Sequence, residues 1–332
     1  MPHSSYGPIS WRRRVSLRVA VLLCLSAATA GCAGATPAPG DTPRPPSGNG
    51  TPGTPGSPGT APDRVALPPA APLTLPGAAR LQETNGADAA VRRAATTRQA
   101  LETAHAWGLD RLPPRAPEPP ATAPVLTPAQ GVALRTGLPP VVSRVPTTDR
   151  VVFLTVDDGA EKDPEFARMT SELGIPFTAF VSDYLARSDY GYFRALAGQG
   201  VPIQNHTLNH RDMRTLTYEQ QRQEICGQQD ELEHRIGVRP RLFRPPYGEY
   251  TTDTLRAAAS CGIEAAALWN EEAFADHVEW RYADQRLHPG DIILTHFRGP
   301  ALWRGTMPDM LRQVLGTVTD QGYALALLDD YL

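Results

Sequence analysis

A chain of 332 residues, 41% apolar and 20% charged, has the material for one large core of roughly 200 to 250 residues plus extensions. Its formal net charge is −3, with 32 Lys and Arg against 35 Asp and Glu, so it lacks the basic excess that holds phosphate backbones or anionic lipid. That balance argues against nucleic acid as a partner.

At the N-terminus, Arg12, Arg13, Arg14 and Arg18 precede an apolar run from Val19 to Ala30, the pattern of an export signal and too short for a membrane span. Its end reads two ways. Ala28-Thr29-Ala30 satisfies the small-x-small cleavage rule, while Thr29-Ala30-Gly31-Cys32 resembles the bacterial lipobox with Thr in place of Leu. Lipidation at Cys32 is the preferred reading, because an exported unpaired thiol is a liability and diacylation turns it into a stable membrane anchor. Residues 1–32 are then a leader of lipoprotein type, and the product is expected on the extracellular face of the membrane, or secreted. The arginine run also fits a twin-arginine signal, a pattern that many ordinary signals share.

Residues 33–76 are Pro, Gly, Thr, Ala and Ser with little aliphatic bulk. Such a segment cannot bury enough apolar area to offset ordering, and reads as a disordered tether. In residues 77–138, apolar positions between Asp88 and Leu109 recur at helical spacing, and the prolines of "RLPPRAPEPPATAP" then break the pattern. This helical extension is expected to pack on the outside of the main domain.

The main domain is expected over 139–332, where apolar strand-like runs alternate with helical stretches. Strands are read at Val151 to Val156, Phe177 to Val181, Ile203 to Gln204, Leu242 to Arg244, Ala265 to Trp269, Asp291 to His296 and Ala324 to Leu328. The helices between them run over Asp163 to Gly174, Tyr192 to Gly198, Tyr218 to Ile236, Thr251 to Ser260 and Met307 to Gln321. The alternation argues for an α/β fold with a mostly parallel sheet, either a barrel or a doubly wound layer. Cys226 and Cys261 are open to two readings, a disulfide permitted by an oxidising compartment or two separate buried thiols.

The chemistry sits at strand ends. "VVFLTVDDGA" runs Val151 to Ala160, apolar on both faces, and then sets down Asp157 and Asp158. On a regular strand these two carboxylates point to opposite sides and hold separate tasks. Taken alone, a DDG is more often a solvated or helix-capping turn. "NHTLNH" spaces His206 and His210 four apart, which on one helical turn would stack both imidazoles on one face. With a carboxylate they make a three-ligand set that leaves positions open for water and substrate. In "RLFRPPYGEY" an arginine, Arg241 or Arg244, precedes two prolines that stiffen the loop, and "DIILTHF" ends another strand in His296.

In the order "TVDDG", "NHTLNH", "RPPYG", "LTH", the segment from Pro139 to Leu332 resembles the polysaccharide deacetylase family, the NodB-homology domain or carbohydrate esterase family 4. The resemblance implies a distorted (β/α) barrel of about seven parallel strands. It implies Asp157 as general base held by Arg244, and Asp158, His206 and His210 on a divalent metal, zinc first, with Co2+, Ni2+ or Fe2+ as other occupants. It further implies His296 as acid, Leu294 as a wall of the acetyl pocket and the backbone N–H of Tyr247 as oxyanion donor. One motif departs: "LWNEEAFADHVEW" offers Glu272 where the family has Asp, and Ala275-Asp276 where it has Asp-Trp. Glu272 is a substitute, and Trp269, Trp280 or Trp303 are candidates for the missing groove wall, each weighed against ordinary packing.

The function expected is metal-dependent N-deacetylation of an N-acetylhexosamine polymer by a monomer, with peptidoglycan first and chitin-like chains second. The alternatives are an O-deacetylase of acetylated xylan and a silent glycan-binding wall protein. A two-histidine-one-carboxylate iron oxygenase has a similar ligand set, but the second aspartate and His296 suit hydrolysis better.

Overall fold

The computed structural model describes residues 94–332. The leader with Cys32, the linker and residues 77–93 lie outside the described residues. Helix α1 (94–106) ends in a turn from which Trp107 enters the core, its indole N–H donating to Glu172 at 2.7 Å. This part of the extension packs on the outer layer of the domain, as its apolar spacing requires.

Among the described residues the sheet has eleven strands. Its hub is β3 (Val151–Asp158), buried at every position. β10 (Ile292–His296) runs parallel along one side of β3, in a register that sets His296 beside Asp157. On the other side, β11 (Ala324–Ala326) pairs with the first half of β3 and β4 (Thr178–Val181) with the second. From β4 the parallel order continues through β5 (Ile203–Asn205), β6 (Leu242–Phe243), β7 (Ala265–Ala267) and β2 (Val141–Val142). Beyond β10 lies β8 (Glu271–Ala273), and the edges are the antiparallel β1 (Val132–Ala133) and β9 (Val278–Trp280). β7 and β8 sit toward opposite ends of this order, yet residues 268–270 alone join them, a reach of roughly 10–15 Å. The sheet must therefore curl round on itself, as a distorted barrel does and a flat doubly wound layer does not.

Side-chain alternation along β3 sorts the core into two layers. Val151 and Phe153 point inward with Phe180, Leu242 and Ile292, while Val152, Leu154 and Val156 face the helices outside. That outer layer holds α2 (Pro164–Leu173), α4 (Tyr190–Gly198) and α7 (Met307–Asp320). α7 shows why these segments become helices. Thr306 and Asp309 form a capping box, and Met307, Met310, Leu311, Val314, Leu315 and Val318 bury one face. α5 (Tyr218–Ile236) starts on a Thr217–Gln220 box and stops at Gly237, whose φ of 85° suits glycine. It packs beside α6 (Thr252–Ser260).

Cys226 of α5 and Cys261 at the end of α6 form a disulfide, which decides between the two readings open at the sequence level. Closing a loop of 35 residues removes denatured-state entropy worth about 3–4 kcal/mol. The double variant Cys226→Ser, Cys261→Ser is expected to lose that much in a denaturant titration. An unchanged midpoint would mean that packing alone holds the two helices together.

Candidate active site

All the chemistry-bearing residues gather at the C-terminal ends of the parallel strands. Asp157 keeps the inward direction of Val151, Phe153 and Thr155. By alternation Asp158 would point outward, but it does not, which corrects the sequence expectation. Asp158 has φ 80° and Gly159 φ 96°, so the chain turns over at the second aspartate. Both carboxylates then face one imidazole, with Asp157 Oδ2 at 3.6 Å and Asp158 Oδ1 at 3.7 Å from His206 Nε2. A left-handed aspartate costs about 1–3 kcal/mol, strain that a site can store when the surrounding fold holds it. Gly159 must be glycine here: besides its φ, a Cβ would meet Phe193 at 3.0 Å.

The helical turn expected for "NHTLNH" is absent. β5 ends at Asn205, and the histidines stand in a loop with Thr207 at φ 70° and His210 at φ 51°. Side chains build this loop. Asn205 Oδ1 accepts from Thr207 N at 2.9 Å, Thr207 Oγ1 from His210 N at 3.0 Å, and Glu224 from both the backbone and side-chain nitrogens of Asn209. Asn205 is itself gripped by Gln229 of α5. The outcome matches what a helix would have given: the two imidazole centroids lie 4.8 Å apart, and His210 Nε2 is 3.3 Å from Asp158 Oδ1.

These residues fit a divalent cation. Asp158, His206 and His210 each bring a ligand atom within 4.8 Å of the others. His206 Nδ1 bonds the Arg244 carbonyl at 2.7 Å, which leaves Nε2 as the lone-pair nitrogen directed at the carboxylates. Asp158 Oδ1 is buried with no hydrogen-bond partner, a costly state for a carboxylate oxygen unless a cation takes it. Burial pulls His206 and His210 down to about 4, so both are neutral, as ligands must be. Burial works against the charge on Asp158, but His296, His206 and Arg298 hold its carboxyl below the usual carboxylate range.

Arg244, not Arg241, is the fixed guanidinium. It is fully buried and donates through Nη1 to Asp157 Oδ1 at 2.7 Å and to Thr155 Oγ1 at 2.8 Å. Nε and Nη2 reach the Ala267 and Leu268 carbonyls, and the Phe180 ring lies 4.3 Å below the guanidinium. Arg241 instead pairs with Glu264 at the surface. Burial pushes Asp157 up to about 7 against the pull of Arg244, with Asp158 adding to the rise, which leaves a carboxylate poised to exchange a proton near neutrality.

Burial likewise keeps His296 neutral, down to about 3. Its Nδ1 faces Glu272 Oε1 at 3.6 Å and makes no hydrogen bond. Leu294, buried, shares the face of His296 two residues back along β10. Tyr247 has φ 62° and sets its ring 4.8 Å from that of His210. Trp269 packs between the inner core and the α6 layer, 5.7 Å from Arg244, while Trp280 and Trp303 lean on the outer layer. Packing, the bland alternative for all three tryptophans, is what the contacts describe.

Sequence reasoning missed Arg298. Its Nη2 donates to Asp158 Oδ2 at 2.8 Å, so only Oδ1 of that carboxylate faces the histidines. The signal was in "THFRG": an arginine two residues past a strand-end histidine shares its face, and a second buried carboxylate calls for a cation.

The polysaccharide deacetylase family model matches residues 144–266, which takes in Asp157, Asp158, both histidines, Arg244 and Tyr247. An uncharacterized protein of Streptomyces coelicolor is 46% identical over 206 residues, 62% of this chain and 82% of that protein. A chitooligosaccharide deacetylase of Sinorhizobium fredii is 29% identical over 192 residues, 52% of this chain and 80% of its own. Among solved structures, a peptidoglycan N-acetylglucosamine deacetylase superposes with a TM-score of 0.51 at 22% identity, over 58% of this chain and 92% of that one, a likeness of fold.

Proposed function

The chain belongs to the polysaccharide deacetylase family, and from that premise we propose that it hydrolyses N-acetyl groups of an N-acetylhexosamine polymer, peptidoglycan first, with a divalent metal, zinc first. One observation carries the reading: beside a three-ligand cluster with a bare carboxylate oxygen stands a second carboxylate, locked by a buried arginine and raised toward neutrality. The peptidoglycan and chitooligosaccharide activities named for the relatives support the substrate class.

Asp158, His206 and His210 would hold the metal, which when bound polarises the acetamide carbonyl and acidifies water. Asp157 takes a proton from the attacking water, and Arg244 keeps that carboxylate in place to receive it. The Tyr247 N–H is assigned to the oxyanion. His296 gives a proton to the departing sugar nitrogen as the C–N bond breaks. Since burial keeps His296 neutral, that proton is one it first receives, and the water proton taken by Asp157 supplies it. Glu272, next to Nδ1, steadies the charged imidazole in passing. Water and acetamide thus become acetate and a protonated amine, both protons of the water ending on the sugar nitrogen.

The disulfide suits an oxidising compartment and supports export, which we place under the same proposal together with lipidation at Cys32. Replacing Cys32 with Ser is expected to move the protein out of the membrane fraction. The direct test of activity is acetate release from peptidoglycan, N-acetylglucosamine oligomers and acetylated xylan. The proposal expects release from the first two. Release from xylan alone would make the protein an O-deacetylase, and none from any would leave a silent glycan binder.

A further inference from the structure

We propose that Tyr184 is a stacking platform for a sugar ring at the mouth of the site, taking the ring next to the one that loses its acetyl group; this rests on the polysaccharide reading above. Six large apolar side chains are exposed among the described residues: Leu101, Val125, Leu134, Tyr184, Tyr247 and Leu302. The two aromatic ones, 45% and 44% exposed, both belong to segments bordering the site, Tyr247 with its ring against His210 and Tyr184 with its backbone bonded to the histidine loop. Single exposed apolar residues need no explanation, but the convergence of the aromatic pair on one opening does.

The backbone puts Tyr184 there. β4 pairs Val181 with Asp158, and the next residue, Ser182, donates its N–H to the Asp158 carbonyl at 3.0 Å. Tyr184 follows in α3 (Asp183–Ala186), and its own N–H donates to the Leu208 carbonyl at 2.9 Å, in the loop between His206 and His210. It is thus tied to both segments that carry the cation ligands. Burial raises the Tyr184 hydroxyl, and the charges of Asp158 and Tyr247 add to the rise.

A platform must also be rigid. Asp183, the preceding residue, is buried, accepts from Tyr190 Oη at 2.9 Å and pairs with Arg187 at 2.5 Å, which fixes the short helix. The Tyr247 ring is committed to His210, edge to face, and walls the reacting centre. Tyr184 has no such ring contact among the described residues and stays 45% exposed. A pyranose presents a face of C–H groups, and an aromatic face is the negative end of a quadrupole, so the two attract. Tyrosine has two side-chain torsions to fix and loses little entropy in doing so.

The test is steady-state acetate release by the metal-loaded full chain on N-acetylglucosamine oligomers of increasing length. In the parent, kcat/KM is expected to rise with length. Tyr184→Ala is expected to lose that rise, with kcat/KM on the longest oligomer down about three- to ten-fold through KM, its metal content matching the parent's. Tyr184→Phe and Tyr184→Trp should keep the rise, since the ring and not the hydroxyl does the stacking. Retention of the parental length dependence by Tyr184→Ala would overturn the proposal, as would a loss falling equally on short and long substrates. Absence of acetate release by the parent on every oligomer would instead bring down the polysaccharide reading, and this inference with it.

Discussion

Asp157→Asn is expected to keep its divalent metal and lose acetate release by about 100- to 10,000-fold, the usual worth of a general base. The amide preserves shape and can still accept from Arg244 Nη1, but it cannot take a proton from water. Its expected cost in stability is separate. Arg244 is fully buried and Asp157 is the carboxylate that balances it, so removing the charge leaves an uncompensated guanidinium, held by the new amide, Thr155, two carbonyls and the face of Phe180. Breaking a buried pair commonly costs about 3–5 kcal/mol, and the retained hydrogen bond should put this variant at the lower end. Metal content measured on the same sample separates the two effects, because a misfolded site would not hold the ion. Activity equal to the parent's would remove Asp157 from the role of base.

The second large effect is expected from the ligands themselves. Asp158→Ala or His206→Ala should lower divalent-metal affinity by more than the roughly 10- to 100-fold typical of residues that only orient ligands. Acetate release should fall with it. Asp158→Ala also removes the carboxylate that Arg298 pairs with. His206→Ala removes the side chain that ties the loop to the Arg244 carbonyl. Chelator treatment of the parent followed by metal addition should mimic and then reverse the loss of activity. Undiminished metal content in either variant would mean that the ion sits elsewhere.

Much of this arrangement was legible in the sequence because it depends on periodicity and strand-end chemistry. The run from Val151 is apolar on both faces, so it had to be a central strand, and polar residues at its C-terminal end had to face an opening. The long helix Tyr218–Ile236 carries its own start and stop signals at Thr217, Gln220 and Gly237, and it lies where those signals put it. Short strands are another matter. β1, β2, β8 and β9 have two or three residues each, too few to show a period, and their pairing is decided by the curl of the sheet.

The site shows the same division. Residue identities announced the ligands, but the local geometry that joins them did not follow from spacing. Asp158, Thr207 and His210 all take positive φ without being glycine, conformations set by the tertiary hydrogen bonds around them. A regular strand and a regular helical turn were the reasonable expectations, and both fail at these residues. Arg298 was overlooked because its place two residues past His296 gains meaning only from Asp158 across the strand pair. The cysteine pair was undecidable for a like reason, since the approach of α5 to α6 is a packing outcome.

One cation shared by Asp158, His206 and His210 is what every proposed role at this site depends on. Anomalous diffraction from crystals grown with zinc, recorded on both sides of the metal edge, tests this most directly. A single strong peak is expected, bound by His206 Nε2, by a nitrogen of His210 and by Asp158 Oδ1, with Arg298 still on Oδ2. A peak at another position, or no peak at these three side chains when zinc is in excess, would contradict it.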